Sequence, residues 1–180
     1  MARNGGLAMR ETLTTARLSL RRFTPADTAR VVEIQSNWNV TRMLRLAGYP
    51  PTFDDIGAWL IEHQAEWAAG TGYRFAVLLD DRLIGACDVD GVADGAGDLG
   101  YWYDEPFWGR GFAFEAARAV LDFARDDVGL TRLTSGHAAD NPASGRVLTK
   151  LGFRKAGEGV RRSRSRGEDI AQWRYVLDRL

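Results

Sequence analysis

The segment Leu99-Gly100-Tyr101-Trp102-Tyr103-Asp104-Glu105-Pro106-Phe107-Trp108-Gly109-Arg110-Gly111-Phe112-Ala113 constrains the fold more than any other part of the chain. It reads as a strand, a turn with two glycines, and the opening of the clearest amphipathic helix. Around Ala113 to Asp127, the residues Phe114, Ala117, Leu121, Ala124 and Val128 recur at spacings of three and four. Glu115, Arg118, Asp122 and Arg125 mark the opposite side, while Ala116, Val120 and Phe123 broaden the apolar face, as suits a helix lying flat on a sheet. Leu130 to Thr134 follows as a strand, so the helix is a crossover. The first N–H groups of such a helix have no partner within it, and its dipole favours an anion there. Gly109 and Gly111 would let a phosphate approach without a Cβ in the way, although a plain tight turn uses glycine for the same freedom. No Lys-Ser/Thr follows the glycines and hairpins precede them, which excludes both a Walker A loop and a dinucleotide fingerprint.

The rest of the chain supplies the layers around this unit. Leu18, Leu20 and Phe23 alternate with polar residues as a first strand. Thr24-Pro25-Ala26-Asp27 opens a helix expected to reach about Asn37. After the Tyr49-Pro50-Pro51 break a second helix is expected from Asp54 to Ala69, ended by Gly70 and Gly72. Tyr73–Leu79 and Leu83–Val92 flank Asp80-Asp81-Arg82 as a hairpin, and a small-residue turn over Gly91–Gly97 leads to the strand Leu99–Tyr103. Asn141–Leu151 reads as a short helix, with Arg154–Arg166 and Ile170–Leu177 as a closing hairpin. The order predicts an α/β fold with a mixed sheet flanked by helices. At 180 residues with no proline- or glycine-rich linker, one domain over 1–180 is expected, with a core from about 15 to 180 and an N-terminal extension over 1–14.

Charge and cysteine content narrow the function. The 24 basic and 24 acidic side chains cancel, which argues against nonspecific nucleic-acid binding. With Cys87 as the one cysteine and only His63 and His137 as histidines, no disulfide framework and no metal site are expected. No stretch approaches the ~20 apolar residues of a membrane helix, and no secretion signal is visible, so cytoplasmic residence is the expectation.

Gly100-Tyr101-Trp102 through Phe107-Trp108-Gly109-Arg110-Gly111-Phe112-Ala113-Phe114-Glu115-Ala116 resembles motif A of the GCN5-related N-acetyltransferases (GNAT family). Asp140-Asn141-Pro142-Ala143-Ser144, with Val147-Leu148 and Lys150-Leu151-Gly152-Phe153, resembles motif B. The likeness extends over residues 15 to 180 and is narrowest to the branch that acetylates the N-terminal amine of ribosomal proteins. It implies a three-layer fold whose central mixed sheet splays open between the strand ending near Tyr103 and the one centred on Leu133. Acetyl-CoA would lie in that gap, its pyrophosphate on the main chain of Trp108, Gly109, Arg110, Gly111, Phe112 and Ala113. The family usually has Gln or Arg where this chain has Trp108. The pantetheine arm would pair with the strand edge at Tyr101, Trp102 and Tyr103 and with Asn141, and Ser144 would donate a proton to the departing sulfur. A helix-capping Asn141, a surface Ser144 and core packing of the strand aromatics are the structural alternatives.

An ammonium cannot attack a thioester, so the acceptor must lose a proton. Asp98 is the first candidate to take it, then Asp88 and Asp90, with His137 and Asp140 behind them; Cys87 reads as a buried strand residue. The acidic residues between Asp80 and Glu105, opposed only by Arg82, suggest a negative rim that draws in a cationic amine. Arg161, Arg162, Arg164 and Arg166 read as a solvated cationic face. Trp38, Arg42, Tyr49 and Asp88 are the expected acceptor contacts. The acceptor itself would be an amine-bearing peptide, a protein N-terminus or a small cationic amine. An acyl-CoA-binding regulatory domain without transfer, and a nucleotide-binding enzyme, are the competing readings. A homodimer is compatible with the sequence.

Overall fold

The structure is a computed structural model and describes residues 9–180. Its strands are β1 (Thr12–Thr14), β2 (Ser19–Arg22), β3 (Tyr73–Leu79), β4 (Arg82–Ala93), β5 (Ala96–Tyr103), β6 (Arg132–Ala138), β7 (Arg154–Ser163) and β8 (Glu168–Leu177). Five helices join them: α1 (Thr28–Gln35), α2 (Trp38–Thr41), α3 (Phe53–Ala69), α4 (Phe112–Phe123) and α5 (Pro142–Lys150). The strands form one sheet in the order β1-β2-β3-β4-β5-β6-β8-β7. All neighbours are antiparallel except β5 and β6, which α4 joins as a crossover.

Alternation along the strands sorts the side chains into two cores. Leu99 and Tyr103 of β5 join Phe75, Leu133 and the apolar face of α4, on the side that also carries α5. Trp102, on the other face, joins Val31 and Ile34 of α1 and Leu60 of α3. At the centre of the first core Phe123 meets Phe75 and Tyr73 edge-on, with ring centroids 5.1 and 5.4 Å apart.

The parallel pairing of β5 with β6 is short. It covers Ala96, Gly97 and Asp98 against Arg132, Leu133 and Thr134, and there the strands part. The buried Ser135 hydroxyl donates to the Leu99 carbonyl at 2.8 Å, at the apex of the fork. From Leu99 onward β5 has no strand partner on its β6 side among the described residues.

Several boundaries differ from the sequence expectation, each for a local reason. The first expected helix is three pieces: a tight turn at Pro25–Asp27, α1, and α2, which begins anew because Asn37 adopts extended backbone and its side chain accepts from the Asn39 N–H. The expected long turn at Gly91–Gly97 shrinks to Asp94-Gly95, with φ of 50° and 74°; left-handed backbone at both positions makes a tight hairpin and lets the strands run to Ala93 and from Ala96. β6 runs four residues beyond Thr134, because β8 pairs with it from Leu133 to Ala138. Part of the expected N-terminal extension belongs to the sheet, since β1 pairs with β2 and buries Leu13; residues 1–8 lie outside the described residues. Cys87 is fully buried on β4, as expected.

Phe123→Ala should remove the ring on which this core converges and cost about 3–5 kcal/mol, read as a lower midpoint in urea unfolding with the slope unchanged.

Candidate active site

The turn between β5 and α4 begins with Glu105–Phe107, after which Trp108 donates its N–H to the Glu105 carbonyl at 3.0 Å and its indole N–H to the Tyr103 carbonyl at 2.7 Å. The Trp108 amide therefore closes the turn, and the free donors start one residue later. Gly109 and Gly111 sit at φ 72° and 82°, and Gly111 caps α4. Among the described residues none accepts from the N–H groups of Gly109, Arg110, Gly111, Phe112, Ala113 or Phe114; the first helical bond runs from Glu115 to the Gly111 carbonyl. A Cβ at Gly109 would meet no atom within 4 Å, so these amides border open space. The Phe112 side chain is buried in the core, and the Arg110 guanidinium lies over the Phe107 and Phe112 rings. Arg17 braces the turn from below: it donates to the Arg110 carbonyl at 3.1 Å and pairs with Glu115 at 2.6 Å. The spacing of Glu115 had marked it only as a wet-side residue. A row of unpaired amides at a helix entrance suits a pyrophosphate, which needs donors and no Cβ.

The fork connects this turn to α5. Tyr101 reaches from β5 to α5, its hydroxyl 2.9 Å from Ser144 Oγ and 3.1 Å from the Ser144 carbonyl, to which it donates. Burial raises the Tyr101 phenol far above its ordinary pKa against the Ser144 bond, so it holds its proton at any physiological pH. Asn141 caps α5, its side chain accepting from the Ser144 N–H. Trp102 and Tyr103 turn their side chains into the two cores, which leaves only their main chain for the strand edge. His137, buried between Gly145 and Tyr175, donates its Nδ1–H to the Ala138 carbonyl at 2.8 Å, and burial lowers its pKa.

On the α1–α3 side the fork opens into a cleft of about 720 Å³. Asp88, Asp90, Asp98, Gly100 and Arg74 lie on its sheet floor. Arg74 is the hub: it binds Glu66 at 2.9 Å and Asp90 at 3.0 Å, with Asp88 at 3.6 Å. Asp88 lies across Gly100, where an added Cβ would come within 2.6 Å of its Oδ1. Its burial pushes the carboxyl up to about 7, against the pull of Arg74. Asp98 stands at the last paired position of the fork and stays accessible from the cleft. Enclosure by the cleft walls raises its pKa, opposed by a 2.7 Å hydrogen bond from Thr134.

Only part of the expected negative rim is assembled here, from Asp88, Asp90 and Asp98. Asp104 is paired with Arg30 and Glu105 is held by Asn37 and Asn39, while Asp80, Asp81 and Asp94 occupy turns away from the cleft. The cleft roof is the segment from Met43 to Gly48, with Ile56 and Trp59 of α3. Trp38 and Tyr49 pack on each other, centroids 4.9 Å apart, outside the cleft lining, and Arg42 pairs with Asp140. Trp38, Arg42 and Tyr49, expected as acceptor contacts, thus lie beside the cleft, whose lining is formed by the neighbouring residues of the same segment. The arginines of the closing hairpin are also not a plain solvated face. Arg161 donates to the Met43 carbonyl at 2.8 Å, Arg166 to the Arg42 carbonyl at 2.8 Å, and the Arg164 N–H to the Arg45 carbonyl at 3.1 Å. Arg166 also pairs with Asp140 at 3.0 Å. Sequence spacing could mark these arginines as a cluster but not find the carbonyls, which lie about 120 residues away.

Comparison with known proteins agrees with this geometry. The sequence profile of the acetyltransferase (GNAT) domain matches residues 17–154. "Probable N-acetyltransferase YjcK" of Bacillus subtilis is 35% identical over 123 residues, 66% of this chain and 67% of that protein. The [ribosomal protein uS5]-alanine N-acetyltransferase of Escherichia coli is 29% identical over 93 residues, 49% of this chain and 48% of the relative. Among solved structures, Mycobacterium smegmatis RimJ in complex with CoA-disulfide superposes with a TM-score of 0.83 at 21% identity, covering 92% of this chain and 86% of the other. The profile spans the strand, the glycine turn, the crossover helix and the fork, and this chain belongs to the GNAT family of N-acetyltransferases.

Proposed function

We propose that this protein transfers the acetyl group of acetyl-CoA to a primary amine, read as the N-terminal α-amine of a protein, by direct attack in a ternary complex. The observation that carries the reading is the row of unpaired amides from Gly109 to Phe114 beside a fork that opens, on its other side, into a carboxylate-bearing cleft. The relatives named for ribosomal-protein N-acetylation support the acceptor class. Residence in the cytoplasm is part of this reading, and no helix among the described residues is long and apolar enough to cross a membrane.

The residues divide the work by face. Acetyl-CoA supplies a thioester, an acyl group activated for attack with a thiolate as leaving group. The amides of Gly109 through Ala113 hold the diphosphate, and the free edge of β5 from Leu99 to Tyr103 offers main-chain partners to the amide-bearing arm. Asn141 both caps α5 and lines the arm's path. Tyr101 and Ser144 are hydrogen-bonded on the α5 side of the fork, where the Ser144 hydroxyl is placed to protonate a departing sulfur. On the cleft side Asp98 takes the proton from the amine, directly or through a cleft water. Asp88, titrating near neutrality, keeps the charge beside Asp98 low.

Incubation with acetyl-CoA and a panel of peptides and small amines tests the reading through release of free thiol and a mass gain of one acetyl group. Tight CoA binding without transfer to any amine would overturn it in favour of a binding domain.

Four variants probe the parts. A Cβ at Gly111 would head toward Arg17, at 3.5 Å, whereas one at Gly109 meets open space. Gly111→Val should therefore mainly destabilise the fold, by about 1–2 kcal/mol for its left-handed backbone. Gly109→Asn, which tolerates that backbone, should weaken CoA binding at least about tenfold, or ~1.4 kcal/mol; unchanged affinity in calorimetry removes the turn from the mechanism. Asp98→Asn should lower kcat by about 10²-fold or more and flatten the acidic limb of its pH profile, with CoA affinity retained. Asp88 contributes in the opposite sense to a salt-bridged carboxylate: its folded pKa is raised, so the native state loses stability as pH climbs from about 4 to about 7. Asp88→Asn should accordingly gain stability relative to the wild type between pH 5 and pH 8 in paired urea titrations.

A further inference from the structure

The cleft that receives the acceptor has two walls of opposite chemistry. Its lining contains seven arginines and four aspartates, so it is cationic on balance. The aspartates Asp88, Asp90 and Asp98 stand together on the sheet floor, and Arg74 is committed to them and to Glu66. Arg132 and Arg154 are likewise committed, both to Asp178. The other four, Arg45, Arg161, Arg164 and Arg174, line the roof and the β7–β8 wall, and none has a carboxylate within salt-bridge distance among the described residues.

Two of these four are fixed in place by carbonyls, and a third packs against the roof. Arg161 spends one nitrogen on the Met43 carbonyl, and its buried Nε has no partner. Arg174 donates to the Glu158 carbonyl at 3.0 Å, and the Arg164 guanidinium lies against Gly48, 3.6 Å from where a Cβ would stand. Burial disfavours the Arg161 charge, and the neighbouring Arg45 and Arg166 add like-charge repulsion. Asp140 and Asp98 offset part of that repulsion from beyond salt-bridge distance, and a bound anion would offset more of it. The acidic floor lies at the fork, where an amine must reach the thioester; the cationic wall lies across the cleft from it.

We infer that the acceptor carries an anionic side-chain group, a carboxylate or a phosphate, on the same molecule as its amine, and that Arg45, Arg161, Arg164 and Arg174 hold that group while the amine lies at the fork. This rests on the transferase reading above and specifies its substrate: a zwitterionic acceptor, in place of the purely cationic amine that an acidic rim would select. Two sources present that chemistry, a protein N-terminus followed by acidic residues and a free amino acid with an acidic side chain.

Equilibrium binding to the CoA-loaded protein separates the cases. Short peptides beginning Ala-Asp-Glu, Ala-Asn-Gln and Ala-Lys-Lys, together with free glutamate and glutamine, are titrated by calorimetry and then offered as acceptors with acetyl-CoA. The acidic member of the matched pair should bind at least about tenfold tighter than its amide twin, which corresponds to about 1.4 kcal/mol. The advantage should shrink as salt rises. A preference seen only among peptides identifies a protein N-terminus, and one seen only among free amino acids identifies a small metabolite. Arg45→Gln should erase most of the acidic-over-amide ratio and Arg45→Lys should restore part of it; the Arg45 side chain makes no hydrogen bond among the described residues, so neither change disturbs the roof. Equal affinity for acidic and amide acceptors, or preference for the lysine peptide, would overturn the inference while leaving the transferase reading intact. Tight acidic-peptide binding without acetylation would break the transferase reading and leave the anion wall standing.

Discussion

The parting of β5 from β6 after Asp98 and Thr134 is the constraint on which the rest depends. Two strands that stay paired would leave no free edge, no opening between the faces and no reason for the crossover helix to end where it does. Ser135 fixes the apex by giving its hydroxyl to the Leu99 carbonyl. Tyr101 then ties the free arm of the fork to α5, so the two sides diverge by a set amount and do not flap. The fork also separates two chemistries. One face carries the hydroxyls of Tyr101 and Ser144, the other carries carboxylates and guanidinium groups, and only the gap joins them.

Burial of charge on the cleft side is tolerated because it is organised around Arg74. A lone carboxylate as deep as Asp88 would be costly, and part of that cost persists as its raised pKa. Glu66 and Asp90 complete the cluster, with the guanidinium serving three carboxylates from one strand and a helix. Such a network sets local charge more than it adds stability. Gly100 belongs to the same arrangement, since any side chain there would displace Asp88.

Much of this was legible in the sequence because it is local. The strand, glycine turn and amphipathic helix from Leu99 to Asp127 are read from spacing alone, and the resemblance of Asn141 and Ser144 to a family motif follows from adjacent residues. The parts that escaped depend on contacts across the chain. Arg74 lies inside the expected strand Tyr73–Leu79, and nothing near it in sequence shows that it faces Asp88 and Asp90. Tyr101 read as a strand aromatic, because its partner Ser144 lies 43 residues away. The arginines after Val160 read as solvated because the carbonyls of residues 41 to 45 become their partners only once the sheet has formed. Trp38 and Tyr49 drew attention through their size, yet they satisfy each other.

That cross-chain fastening shapes recognition as well as architecture. A surface loop above a cleft ordinarily loses entropy each time a guest settles beneath it. Here the stretch from Thr41 to Arg45 is laced to the terminal hairpin by Arg161, Ser165, Arg166 and the Arg164 amide before any guest arrives. Its ordering is settled when the chain folds, so the cleft keeps its shape on that side before anything enters, with little room to mould itself around a stranger.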